Sequence, residues 1–359
     1  MSSYNPHLSE SALYEAYLAV RRAQPSMSLA DISALLRVTE EALLLESGAK
    51  VFELGDNWHR LLSTLPALGV ITFLTSNRLV RLAQAGIVKQ VSFSASQAHI
   101  SGPGLDIVAD TNHWRQAYYA QGCLEGRYVH GIYCFDHQGR CCHRLLLREE
   151  APCQQAGMTE RLATPGVTDS GSIRRNPVCN DPCLSARQRR DFIADWSVMQ
   201  GSRDYWVLLL EHGLSERQAV QQVAPVYAHS VDGCAIRSVL QFAAETALPL
   251  QLSCPGLHLV QRYAGLVPPW CGLQLPPRPS LATLCLSLAE QEPLEAWVVR
   301  RPHASGIRTT LDIFDHQGEL ALRLGDASDS SHAECEEWRE LLDDIPVVSC
   351  KLSPDTKPH

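Results

Sequence analysis

The sequence has no long apolar run. Its longest mainly apolar stretch, residues 61–74, is interrupted by Ser63, Thr64, Pro66 and Gly69 and is too short to cross a bilayer. The start, MSSYNPHLSE, has neither a basic n-region nor an apolar h-region, so no secretory signal is expected. Positive charge is not in excess: 31 Lys and Arg face 39 Asp and Glu, a formal net charge of −8. That balance gives no global field for nucleic acid, although it leaves room for a local basic patch. A Walker loop, a GxGxxG after a strand, a GxSxG and an HExxH are all missing, so familiar nucleotide and hydrolytic chemistry has no support here.

What is present is ordinary globular composition, 45% hydrophobic and 19% charged, over 359 residues, enough for two domains with real cores. Thirteen cysteines, an odd number at irregular spacing, point to free thiols in a reducing cytoplasm. The most informative feature is internal. Phe135-Asp136-His137-Gln138-Gly139 recurs as Phe314-Asp315-His316-Gln317-Gly318, an offset of 179 (314 − 135). The same offset pairs Ala85-Gly86 with Ala264-Gly265, Leu105 with Leu284, Ala117 with Ala296 and Arg144-Leu145 with Arg323-Leu324. A period this long means one globular domain duplicated rather than a solenoid.

Each FDHQG lies between β-prone segments: 128–135 and 144–147 in the first copy, 308–314 and 320–324 in the second. Asp-His-Gln-Gly supplies turn chemistry, so a β-hairpin is expected, with His137 and His316 as turn residues. Segment 28–46 reads as two short helices capped by Ser28 and Thr39; 58–65 reads as a helix, and 205–211 and 215–223 as two helices separated at Gly213. Residues 70–74, 86–93 and 105–108 read as strands, partly matched by 257–263 and 281–286. The expected class is α+β: a tandem duplication of two similar halves, each with a large antiparallel sheet and packed helices. The expected division is a first repeat over 1–150, a Pro-, Gly- and Ser-containing connection over 151–190, a second repeat over 191–348 and a tail over 349–359.

Three local motifs invite chemistry. Segment 28–46 has helix-turn-helix spacing, but its second helix carries Glu40, Glu41 and Glu46, the wrong sign for phosphate, so no nucleic acid partner is expected. Cys179-x₃-Cys183 lacks a second ligand pair for zinc, and neighbours in Cys141-Cys142-His143 would point to opposite faces of a strand. Cys254-Pro255 is a minimal dipeptide found in some heme-responsive sites, but a dipeptide alone carries little, and a buried or idle thiol is the expected reading.

Two tandem copies with an FDHQG hairpin, the stretch Glu295-Ala296-Trp297-Val298-Val299-Arg300-Arg301-Pro302, and Asp195-Trp196 followed by Met199 resemble the hemin-degrading and hemin-transport proteins of Gram-negative bacteria, the HemS/ChuS group. The resemblance spans nearly the whole chain. It implies a heme cleft in the second half and a cytoplasmic role in heme-iron utilisation, with heme-uptake or heme-degradation proteins as partners, no membrane insertion, and a homodimer left open. It also implies a proximal iron-ligating histidine at the start of the helix after the Asp-Trp-x-x-Met segment, but that position holds Arg203, a permanently charged side chain and a very poor iron ligand. A first-half histidine and arginine of the group fall near Leu82 and Val108.

The heme-binding residues that the resemblance leaves are Arg203, Tyr205, Trp206, Gln261, Arg262 and Arg301, with Arg301 suited to a propionate and Tyr205 and Trp206 to the macrocycle. No catalytic residue is assigned. His212 is the fallback iron ligand, about 13 Å along a helix from Arg203, and His258 and Cys254 are weaker candidates. Ring-opening oxygenase activity would need ligated iron, and Arg203 weighs against it. The alternative is a degenerate paralogue that keeps the fold as a binding or regulatory module.

Overall fold

A computed structural model describes residues 10–25, 27–124, 127–147, 184–268, 284–289, 293–328 and 331–347. The elements run α1 (Glu10–Ala23), α2 (Leu29–Leu36), α3 (Glu40–Leu45), β1 (Lys50–Gly55), α4 (Trp58–Ser63), β2 (Val70–Ser76), β3 (Val80–Ile87), β4 (Gln90–Ser94), β5 (Gln97–Gly102), β6 (Leu105–Asp110), β7 (Trp114–Leu124), β8 (Arg127–Asp136) and β9 (Cys141–Leu147). After the connection come α5 (Ala186–Ser197), α6 (Ser202–His212), α7 (Glu216–Val223), β10 (Ala228–Val231), α8 (Ala235–Thr246), β11 (Leu250–Gly256), β12 (Leu259–Gly265), β13 (Leu284–Leu288), β14 (Glu295–His303), β15 (Gly306–Phe314), β16 (Leu320–Asp326) and α9 (Glu336–Asp343).

The chain forms two compact units. Unit 1 gathers Met1–Arg175 with Cys254–Tyr263 and Leu273–Leu288; unit 2 is the remainder. Unit 1 holds an antiparallel sheet in the order β1-β7-β8-β9-β2-β3-β13 and a run β12-β6-β5-β4. Unit 2 holds the run β10-β14-β15-β16-β11. One core of unit 1 packs α4 (Trp58, Leu62) on Phe73, Ile107 and Trp114; another packs α2 and α3 (Ile32, Leu43, Leu44) on Tyr133 and Phe135. In unit 2, Phe192, Trp196, Val220 and Phe314 pack together. No helix among the described residues is long and apolar enough to cross a membrane.

The duplication holds at the level of single residue pairs. Tyr133 lies opposite Arg144 between β8 and β9, and Asp312 opposite Arg323 between β15 and β16; all four positions keep the offset of 179. Leu74 faces Arg144 as Ser253 faces Arg323. Two strands cross over reciprocally. β13 pairs with β3 with Leu284 opposite Gln84, and β12 pairs with β6 with Tyr263 opposite Leu105, the same register with the roles of the copies exchanged.

The FDHQG hairpins confirm the turn reading. Asp136 Oδ1 accepts from the backbone N–H of Gln138 and Arg140 at 2.8 and 2.9 Å, and Asp315 Oδ1 accepts from Gln317 and Glu319 at the same distances. Gly139 and Gly318 adopt φ of +67° and +82°, which excludes a comfortable side chain. Both phenylalanines are buried and both histidines exposed. The caps Ser28 and Thr39 accept from the backbone N–H of Asp31 and Ala42. The expected single strand over 86–93 is two: β3 stops at Ile87, Val88 is buried, and the Lys89 N–H donates to the Ser101 carbonyl, which redirects the chain into β4. Helix α5 starts at Ala186, inside the segment read as a connection, on a capping box of Ser185 and Gln188. Cys179 and Cys183 lie outside the described residues.

Candidate functional site

Helix α6 begins at Gly201 and ends on Gly213, whose φ of +62° closes the last turn. One face is conventional: Tyr205, Leu208 and Leu209 are buried with Phe192, Trp196 and Val299. The opposite face is not. Trp206 is 51% exposed, Val207 44% and Leu210 78%, an apolar stripe at i, i+1 and i+4 where an ordinary surface helix presents polar groups. Arg203 lies one turn earlier on that face, exposed, with no hydrogen bond or ion pair among the described residues. Val198, just before the helix, is also exposed.

Beneath α6 lies a buried polar set. The Arg301 guanidinium sits 5.0 Å from the Tyr205 ring centre and 5.8 Å from that of Trp196. It donates through its Nη1 to Thr310 Oγ1 and through its Nη2 to Asp312 Oδ2, both at 2.6 Å, while its Nε is buried without a partner. Arg323 donates to both oxygens of Asp312 and to Glu216, and the Tyr205 hydroxyl donates to Glu216 at 3.0 Å. Burial opposes the charge on Asp312, but Arg301 and Arg323 outweigh it and hold the carboxyl well below the usual range. Burial, then Glu216, push the Tyr205 hydroxyl up, so it stays a neutral donor.

The first repeat is an internal reference. There Arg144 pairs with Glu40 as Arg323 pairs with Glu216, so this ion pair belongs to the fold. At the offset of 179, however, Arg301, Thr310 and Asp312 correspond to Gly122, Gly131 and Tyr133. A Cβ on Gly131 would stand 2.5 Å from the Leu145 carbonyl oxygen, so no threonine fits there. The Arg301–Thr310–Asp312 set is particular to unit 2.

A family model, the haemin-degrading HemS.ChuX domain, matches residues 37–161 and again 213–345. The chain belongs to the HemS/ChuX family. The two matches carry the duplication independently of the FDHQG identity. Among relatives, the hemin transport proteins HmuS of Yersinia pestis and HemS of Yersinia enterocolitica are each 23% identical to this chain, covering 92% of it and 96% of the relative. Holo-PhuS, a heme-binding protein from Pseudomonas aeruginosa, is 26% identical with a TM-score of 0.80 over 95% of this chain and 100% of that one. The heme degrading enzyme ChuS of Escherichia coli O157:H7, 21% identical with a TM-score of 0.79 over 94% and 99%, shares the fold. The α+β class and the tandem architecture expected from the sequence are those of the HemS/ChuX family.

The remaining expected site residues of this family member are dispersed. Gln261 is fully buried in unit 1, accepting from Thr75 Oγ1 at 2.7 Å and donating to Gln84 Oε1 at 3.3 Å. Arg262 donates to Asp106 at 2.8 Å across the β12–β6 pair. Leu82 is buried opposite Leu286, and Val108 pairs with Val260. His212 sits 3.5 Å from Asp195 with its ring edge-on to Phe192, at the far end of α6 from Arg203. Cys254 is buried, and burial pushes its thiol up to about 12, so it offers no thiolate. His258 stacks on His113 and lies 3.7 Å from Asp136. Tyr205 and Arg301 thus come together under α6, Arg203 and Trp206 share its outer face, and Gln261 and Arg262 belong to unit 1. The stripe itself was not anticipated: Val207 and Leu210 look like core residues until the packing shows which face is covered.

Proposed function

We propose that this chain binds heme on the outer face of α6 in unit 2 and acts in cytoplasmic heme-iron trafficking, exchanging heme with uptake or degradation proteins. The observation that carries the reading is the uncovered stripe of Trp206, Val207 and Leu210, on a fold shared with PhuS, a heme-binding protein. An apolar, aromatic surface suits a flat macrocycle, and burying it removes exposed hydrocarbon from water. Arg203, exposed and with no ion pair among the described residues, supplies a guanidinium on the same face for an anionic propionate. Arg301 acts from beneath: both its Nη atoms are engaged by Thr310 and Asp312, so it holds Tyr205 and the helix rather than reaching outward.

Titration of the purified protein with hemin tests this. The expected result is a saturable Soret shift at one heme per chain, weakened about tenfold by Trp206→Ala. A second reading, a binding module that no longer carries heme, is favoured by Arg203 in place of a ligand on α6. Absence of a saturable shift would establish that reading instead.

A further inference from the structure

We propose that unit 1 carries a site for a small organic carboxylate at the β1 edge of its sheet, with the Tyr119 hydroxyl as the innermost donor. The site lies within unit 1 and does not depend on the heme-binding reading.

Strand register gathers the residues. Antiparallel partners standing opposite each other share a face, as do residues two apart along one strand. Phe52 of β1 stands opposite Tyr119 of β7, and Lys50 stands opposite Gln121. Gln121 in turn faces the buried His130 of β8, two residues after Tyr128. Gln121 Nε2 donates to the Tyr128 hydroxyl at 2.8 Å, so both side chains lie on this face. It is the face whose core holds Tyr119 and Ile132 together with Trp58 and Leu62 of α4. Beyond Tyr119 that face opens: Phe52, Tyr128 and Lys50 are all exposed. The Phe52 and Tyr119 ring centres are 6.3 Å apart.

Tyr119 is 2% exposed, and its hydroxyl has no hydrogen-bond partner. An unpaired buried hydroxyl destabilises a core, and phenylalanine would fill the same space without that cost. The second copy uses hydrocarbon throughout: at the offset of 179, Phe52, Tyr119 and Tyr128 become Val231, Val298 and Ile307. Burial, then the neighbouring Tyr128 phenol, push the Tyr119 hydroxyl up, so at neutral pH it is a donor. The Tyr128 proton meets no acceptor, and Lys50 has no ion pair, among the described residues. Two phenolic donors and an ammonium select a group that only accepts, and an anionic acceptor makes the stronger hydrogen bonds. Phe52 and Tyr128 add aromatic surface for an apolar body. A carboxylate on a ring combines both features. Phe52 sits on the terminal strand of the sheet and Tyr128 beside the β7–β8 turn, so the two exposed rings can rotate aside while the core stays closed.

The test titrates para-fluorobenzoate into the full chain and reads its fluorine NMR line, with para-fluorobenzyl alcohol as the uncharged counterpart. Wild type, Tyr119→Phe, Lys50→Met and Trp206→Ala are compared. We expect saturable broadening with the acid, about tenfold weaker binding in Tyr119→Phe and in the alcohol, and a smaller loss in Lys50→Met. Trp206→Ala, in unit 2, should bind as wild type does. Without ligand, the urea midpoint of Tyr119→Phe should equal or exceed that of wild type, because the hydroxyl has no partner to lose; a lower midpoint would show that the hydroxyl is already satisfied and overturn the proposal. Absence of saturable binding would leave the hydroxyl a water at most, and equal binding in Tyr119→Phe would remove it as the donor; either result overturns the site. Loss of binding in Trp206→Ala alone would assign the anion to α6 instead.

Discussion

At the residue scale, burial and charge separate structural from functional side chains. Asp312 is fully buried between two guanidiniums. Asp312→Asn would leave Arg301 and Arg323 short of countercharge, and we expect a loss of about 3–5 kcal/mol in urea unfolding. Arg203→Ala, on an exposed side chain with no ion pair among the described residues, should stay within about 0.5 kcal/mol. The sign for Asp312 follows from its lowered carboxyl: the stabilisation is complete above the unfolded value, near pH 4, and drains away as pH falls through the folded one. His143 works higher in the pH range. Its ring is buried, 3.2 Å from Thr75 Oγ1, and burial lowers it to about 3, against about 6.5 unfolded. Because the unfolded chain takes up the proton first, stability is complete above about pH 6.5 and falls below it, by about 2 kcal/mol at pH 5. The difference between urea midpoints at pH 7 and pH 5 should shrink in His143→Gln, and an unchanged difference would refute the account.

At the element scale, helix α6 is legible in position but not in orientation. Its break at Gly213 and the restart at Ser215, where a capping box forms with Gln218, follow from local chemistry. Ser215→Ala should cost about 1 kcal/mol of stability and leave hemin binding intact. Leu210→Ser should do the reverse: stability within about 0.5 kcal/mol, since the side chain is 78% exposed, and weaker hemin binding. If Leu210→Ser destabilised the protein as a core leucine does, the stripe would be a covered surface. The helix-turn-helix spacing of α2 and α3 resolves similarly. Glu40 and Glu41 face inward, to Arg144 and to Arg115 and Tyr118, so the acidic second helix is a packing element.

At the scale of the whole molecule, the reciprocal strands define what can fold alone. Unit 1 includes β12 and β13, more than 100 residues along the chain from β9. A fragment of residues 1–175 lacks both, leaving β3 and β6 with bare edges that invite pairing with another chain. We expect that fragment to self-associate, or to recover a monodisperse state only with the remaining chain added, as read by size-exclusion light scattering. A stable, monodisperse fragment would show that the two strands are dispensable.

The 179-residue offset and the turn chemistry of FDHQG were enough to point to duplication and α+β class, because repeats, caps and turns are written in residues adjacent in the chain, while the family came from a resemblance carried by those hairpins, Glu295–Pro302 and Asp195-Trp196 with Met199. The reading of His137 and His316 as turn residues held for the same reason: Asp136 and Asp315 satisfy their own hairpins. What the sequence could not contain is which distant groups meet. It named Gln261 and Arg262 as site residues, but not their partners: strand pairing sets Gln261 against Thr75 and Gln84, and Arg262 against Asp106; and it did not say which face of α6 is left exposed. Local propensity determines elements one by one. The pairing of strands and the uncovered face of a helix are decided by packing, where burial and unpaired polar groups compete across the whole chain.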